Sequence, residues 1–200
     1  MQYSEKKAAQ IAAFFVFQEG SVIGILKLMK LMYLAERESF TKYGEPMIGD
    51  NLVSMNHGPV LSITLDHLNN FIDSEPGGWE SWISDRENHF VGLKVNIEGD
   101  IALHLDQLSD ADLDVLLTIW KKYGKYSGSQ LRNITHEICT EWEDSDNSSL
   151  PIPYSRLLKC VGYDPETTRE LVQRINEQRK LDEIFSVTPT RPEIRTSTAG

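Results

Sequence analysis

Apolar positions along the chain fall into helical spacing over most of its length and into alternation over one central stretch. Ser4 can cap a helix that runs to about Gln18, with Ala8, Ala9, Ile11, Ala12, Phe15 and Val16 forming a broad apolar face. Gly20 breaks it and Ser21 can cap the next helix, from Val22 to about Lys42. Between Val22 and Ala35 that second helix is apolar around most of its circumference, and Lys27, Lys30 and Arg37 leave only a narrow polar stripe. A helix of this kind belongs in the middle of a bundle. Tyr43-Gly44-Glu45-Pro46 ends it.

A short strand over Leu52 to Met55 leads into Asn56-His57-Gly58-Pro59-Val60. Gly58 suits a position with φ > 0, and Pro59 suits the first turn of a helix from Val60 to Ile72, with Leu61, Leu65, Leu68 and Ile72 at helical spacing. Pro76-Gly77-Gly78 stops that helix. The period then changes to two. Val91, Leu93, Val95 and Ile97, then Ile101, Leu103 and Leu105 after Glu98-Gly99-Asp100, predict a β-hairpin, with Trp79 to Ile83 as a candidate third strand.

Helical spacing returns with a helix from Ser109 to Tyr123 and another from Ser127 or Ser129 to about Trp142. A polar stretch, Glu143 to Pro153, follows, then a short helix over Tyr154 to Val161. Asp164-Pro165 launches a charged helix through about Phe185 whose thin apolar seam suits docking on the body or on a partner. Ser186 to Gly200 has no periodicity and is expected to be disordered.

The pattern therefore predicts a mainly α fold: a compact helical domain with a small antiparallel β insertion and a C-terminal helical extension. At 40 % hydrophobic residues, its 200 residues can bury a core without staples. Cys139 and Cys160 show no pairing motif, which fits a reducing cytoplasm. No run approaches the length of a membrane span. The formal charge of −10 is uneven: residues 66–114 hold twelve acidic side chains and only Arg86 and Lys94 against them, while the remainder balances. Such a field repels phosphate backbones, and it serves either to keep the surface solvated or to attract a basic protein.

Candidate chemistry is sparse. His136-Glu137 would need a second His at position 140 to make a metalloprotease helix, and Thr140 stands there. His57, His67, His89 and His104 are scattered singly, without ligands at metal spacing. No nucleophile elbow or phosphate-cradling loop occurs. No catalytic residue, cofactor or metal is expected. A hydrolase assembled from residues distant in sequence is the remaining enzymatic alternative.

Three blocks in order carry a family resemblance. Lys27-Leu28-Met29-Lys30-Leu31-Met32-Tyr33, then Tyr43-Gly44-Glu45-Pro46, then His57-Gly58-Pro59-Val60, together with Leu113 to Trp142 closing on His136 and Trp142, resemble the SocA-like antitoxin or Panacea domain of bacterial and prophage toxin–antitoxin pairs. The resemblance covers roughly residues 5–145. The chain departs from the family pattern at Leu61-Ser62, where Val-Pro is common, and at Glu141, where Pro is common. It implies a family domain over 1–145, a helical extension over 146–185 and a tail over 186–200. It also implies an antitoxin that directly binds and neutralises a toxin encoded beside it, with an ATP-dependent protease as a further partner if the protein also acts as an adaptor.

The motif residues Lys27, Lys30, Tyr33, Tyr43, Gly44, Pro46, His57, Gly58, Pro59, Val60, His136 and Trp142 are then the candidates for partner binding or for holding the frame. Lys27 and Lys30 either line a partner-facing groove or snorkel from the core edge to local acids. His57 and His136 either form a buried hydrogen-bonded pair or are satisfied separately by backbone carbonyls. Tyr33 and Trp142 are expected in the core. The acidic hairpin region and the helix from Asp164 to Phe185 would supply specificity toward a basic toxin. An autoregulator of transcription is the rival from another class, but it needs a basic recognition helix, and Ser127 to Trp142 carries only Arg132 besides His136. No nucleic-acid or membrane partner is expected.

Overall fold

The computed structural model describes residues 2–146 and 148–187; of the tail expected to be disordered from Ser186, the first two residues continue the last helix and 188–200 lie outside the described residues. Helix α1, Glu5–Gln18, begins at Ser4, whose side chain accepts from Lys7 N. Strand β1, Val22–Gly24, leads into α2, Ile25–Tyr43. The hairpin of β2, Leu52–Met55, and β3, Gly58–Leu61, runs into α3, Ser62–Leu68. After the short α4, Trp79–Trp82, come strand β4, Phe90–Gly92, and a 3₁₀ turn, Ile101–His104. Helices α5, Asp110–Tyr123, and α6, Gly128–Ile138, precede strand β5, Leu150–Pro151, and helices α7, Tyr154–Cys160, and α8, Pro165–Val187. The fold is mainly α with small antiparallel sheets.

α2 is the central element, packed against α1, α5, α6, α7 and both sheet regions. Leu28, Leu31, Met32, Tyr33 and Ala35 are buried, and α1 adds Ile11, Phe14, Phe15 and Val16. Removing each such large side chain from water stabilises the fold by about 1.5–3 kcal/mol, which is why the segment apolar on nearly all sides ends in the middle.

Several local expectations are corrected. The second helix does not begin at Val22. Gly20 and Ser21 both have positive φ, and Val22–Gly24 pairs antiparallel with β4 in the register Val22↔Gly92, Ile23↔Val91, Gly24↔Phe90. Gly24, not Ser21, precedes the helix, and it makes no side-chain cap.

Pro59 starts no helix. It lies in β3 opposite Ser54, on the edge of the β3-β2-β5 sheet, where a residue lacking N–H is tolerated. The helix after it begins at Ser62 and ends at Leu68 rather than Ile72. Its exposed amides are satisfied from a distance by Asp50, whose carboxylate accepts from Ile63 N and Thr64 N at 2.9 Å each and from Thr64 Oγ1 at 2.6 Å.

The expected hairpin of residues 91–105 does not form. β4 pairs with β1 instead, and Leu93 bridges to Ile83. Asp100 accepts from Ala102 N and starts a 3₁₀ turn, so Glu98-Gly99-Asp100 opens a helical turn rather than a hairpin return. Ile101 and Leu105 face the core while Leu103 is 85 % exposed. Of Trp79 to Ile83, the candidate third strand, Trp79–Trp82 is a helical turn, and Ile83 pairs through the bridge to Leu93. The three-stranded sheet accordingly sits outside the acidic stretch, and only β4 lies within it.

The helix begun by Ser127 stops at Ile138, short of Trp142. The chain then turns along β2, with Trp142 Nε1 donating to Met55 O at 2.9 Å and Glu143 N to Ser54 Oγ at 3.2 Å. Elsewhere expectation and structure agree: the helix starts at Ser109 and, of the two serines offered, at Ser127, each closed by a capping box, the short helix from Tyr154, and the helix launched at Asp164-Pro165, which continues to Val187.

Candidate functional site: a polar clasp beneath an apolar groove

One face of α2 carries Lys27, Lys30, Tyr33 and Arg37, spaced by three or four residues and hence stacked along the helix. The side chains end on neighbouring parts of the fold, Tyr33 and Arg37 on a shared acceptor. Lys27 Nζ donates to Gly124 O at 2.7 Å, where α5 ends, and to Glu19 Oε2 at 2.5 Å, and it lies 5.4 Å from the centre of the Trp120 ring. Lys30 Nζ donates to Pro59 O at 2.8 Å. Tyr33 Oη donates to Glu141 Oε1 at 3.0 Å. Arg37 Nε reaches the same oxygen at 2.9 Å, and its Nη2 donates to Ile138 O, at the end of α6, at 3.2 Å. The stripe therefore satisfies carbonyls that the ends of α5 and α6 leave open.

Burial shifts these groups. Lys30 is 0 % exposed, and desolvation brings its ammonium down to about 7. Burial, then the Glu141 charge, raises Tyr33 well above its usual range. The same two causes push the Cys139 thiol up to about 12. His136 is lowered by desolvation and then by Lys30, Arg132 and His57.

The Gly-Pro corner closes over Lys30. Gly58 has φ +94°, and a Cβ there would lie 2.9 Å from Lys30 Nζ and 3.0 Å from His136 Cδ2. Only glycine lets the hairpin approach both side chains so closely. The two histidines do not form the buried pair, since His57 is exposed at the hairpin turn. Carbonyls do not satisfy His136 Nε2 either: it is buried with no hydrogen-bond partner among the described residues. The His136 ring instead stacks on Trp142 at 4.1 Å between centres and 11° between planes. Tyr33 is in the core and Trp142 is half-buried.

Tyr43-Gly44-Glu45-Pro46 lies apart from this corner and seats α8. Gly44, at φ +68°, ends α2, and a Cβ there would lie 2.8 Å from Leu171 Cδ1. Glu45 pairs with Arg174 at 2.9 Å. Pro46 is buried and Tyr43 exposed. Just beyond, the buried Glu36 accepts from Met47 N and Ile48 N at 3.0 Å each, and desolvation brings its carboxyl up to about 7.

A groove of about 1080 Å³ opens between the start of α2, the β1–β4 ribbon, the β2–β3 hairpin and the start of α6. Lys27, Lys30, His57 and Val60 from the motif blocks border it, although both lysines are engaged inward. Leu26, Met29, Met55, Phe90, Lys125 and Tyr126, which the motif blocks do not single out, complete its walls. Phe90 is 53 % exposed although it comes from a strand. Glu141, noted above as a departure from the pattern, is fully buried and holds the clasp together.

Among the described residues no group of three or more His, Cys, Asp or Glu side chains is placed to hold a metal ion, and no helix is long and apolar enough to cross a membrane. A model of the family described as antitoxin SocA-like, Panacea domain, matches residues 28–143. No curated protein and no solved structure matches the chain.

Proposed function

From the premise that the chain belongs to the SocA-like antitoxin family with a Panacea domain, we propose that it neutralises a toxin encoded beside it by direct protein binding in the cytoplasm, without catalysis. The observation that carries this reading is the fate of the reactive side chains. Lys27, Lys30, Tyr33 and Arg37 are spent on closing helix ends, the hairpin corner and Glu141. The Cys139 thiol and the Tyr33 hydroxyl are pushed away from the range in which either would be a nucleophile at neutral pH. What remains for function is surface: a preformed groove and an acidic flank on a frame held rigid from within. α6, the nearest candidate for a recognition helix, carries Arg132 as its sole Lys or Arg, which favours a protein partner over DNA.

The acidic stretch, residues 66–114, draws a basic toxin toward the molecule. Raising salt from about 0.05 to 0.5 M should slow association several-fold while changing dissociation little; an association rate indifferent to salt in stopped-flow mixing would remove this steering role. The function itself is tested by co-expressing the chain with the product of its adjacent gene. Growth rescue and co-purification of the pair are expected. Rescue without any complex would replace binding by another mode of neutralisation.

A further inference from the structure

The groove differs in charge from the molecule that contains it. The chain carries −10 overall, yet among the described residues Glu19 is the one carboxylate lining the groove, against Lys27, Lys30 and Lys125, and of these lysines Lys125 is the one not engaged inward. Glu19 is already bound by Lys27 at 2.5 Å. Lys125 is exposed, its ammonium 5.3 Å from the centre of the Tyr126 ring. The first turn of α6 opens onto the same space at Ser127, Gly128 and Ser129, and its dipole adds to the same sign. The rest of the wall is apolar, built from Leu26, Met29, Met55, Leu65, Phe90 and Tyr126. Two methionines in that wall can adapt to the side chains they meet.

Resting on the antitoxin reading, we infer that the groove takes one particular part of the toxin: a segment presenting apolar side chains together with at least one carboxylate. The apolar side chains fill the space between Leu26, Met29, Met55 and Leu65. The carboxylate faces Lys125 and the start of α6, where the lining has a surplus of positive charge. At about 1080 Å³ the groove has room for several side chains rather than one. The toxin's overall basic charge and this acidic segment serve different steps. The acidic flank attracts the whole partner, and the groove then selects the one segment whose charge is opposite to the rest.

The experiment uses the full chain and the product of the adjacent gene. A photocrosslinking amino acid replaces Phe90 at the groove rim or, for the control, Leu117, which is exposed, does not line the groove and lies outside the acidic stretch. Crosslinks should form from position 90 and not from the control, and the captured toxin peptide should contain Asp or Glu beside apolar residues. In parallel, Gly24→Trp places bulk at the groove wall. Gly24 has φ −68°, and a Cβ there meets nothing nearer than Phe90 Cε1 at 3.8 Å, so the substitution is compatible with the backbone. It should raise Kd about tenfold or more. Lys125→Glu, at an exposed position, should raise Kd about fivefold. Leu117→Ala, at an exposed position off the groove, should leave it unchanged.

A complex that keeps wild-type affinity in both groove variants, or crosslinks only from the control position, overturns the groove assignment and leaves the antitoxin reading standing. A captured segment without an acidic residue overturns its chemistry. No complex with the wild-type chain removes the reading of neutralisation by direct binding and this inference with it.

Discussion

A methyl group placed on Gly58 would press on the Lys30 ammonium and the His136 ring at once, in a backbone conformation that L residues rarely adopt. Gly58→Ala should therefore cost on the order of 3 kcal/mol, from backbone strain and from crowding together. A urea unfolding midpoint unchanged from wild type would show that the corner is not held by that contact. Glu141 is the second residue on which much depends, because Tyr33 and Arg37 both end on one of its oxygens inside the protein. Glu141→Ala leaves a hydroxyl and a guanidinium without their acceptor, and about 3–5 kcal/mol of stability should be lost. Glu141→Gln, which keeps an oxygen in place, should lose less; equal losses would mean that packing rather than pairing is what matters there. At this scale the sequence was only partly informative. Gly58 was legible as a positive-φ position because the constraint is local. Glu141 was not, because its partners lie on α2 and are brought to it only by folding.

α8 shows how far an element can be understood from its own residues. Asp164 and Pro165 announce its start, and its thin seam announces that it docks, since Leu171 and Ile175 are the positions turned inward. Its seat was hidden in a different motif, the Gly44 turn, where the absent Cβ makes room for Leu171. Leu171→Ala should loosen that seat by about 2 kcal/mol. The expected signature is faster amide hydrogen exchange along α8 with protection in α1 and α2 retained. Uniformly faster exchange across the molecule would instead make α8 part of the same cooperative unit as the core. The other elements divide along the same line. Helices that begin at Ser4, Ser109 and Ser127 were predictable because the cap lies within three residues of what it caps. β1, β4 and the start of α3 were not, since β1 and β4 pair with each other from opposite sides of α2 and α3 in the chain, and α3 is capped by Asp50.

For the whole molecule, the buried ionisable groups set how stability responds to pH. Lys30 has its pKa lowered from 10.5 to about 7, so between those values the unfolded chain holds a proton that the folded chain has released, and stability rises with pH. Glu36 is raised from 4.5 to about 7, so between those values the folded chain holds the extra proton and stability falls with pH. Cys139, raised from 9.0 to about 12, turns the curve down again above pH 9. These three groups together predict a dip near neutral pH and a rise toward pH 9. Lys30→Met should abolish the rise and Glu36→Gln should flatten the fall, each judged by the slope of unfolding free energy against pH rather than by its absolute value. A Lys30→Met protein with the wild-type slope between pH 7 and 9 would show that the folded lysine stays charged.

What the sequence determined by itself is whatever short range can decide: the central apolar helix, the capped helix starts, the glycine corner, and the ordered motif blocks that mark the family. Tertiary structure alone decided where the central stripe ends, because Lys27, Lys30, Tyr33 and Arg37 find their acceptors on elements that reach them only once the chain has packed. It also decided the groove, whose walls come from α2, the β1–β4 ribbon, the β2–β3 hairpin and α6, and whose exposed lysine, Lys125, is not distinguishable as such in a chain of net charge −10. The physical reason is the same in both cases. Caps and turns act over a few bonds, whereas burial and charge act through space, and the distances they depend on exist only in the folded molecule.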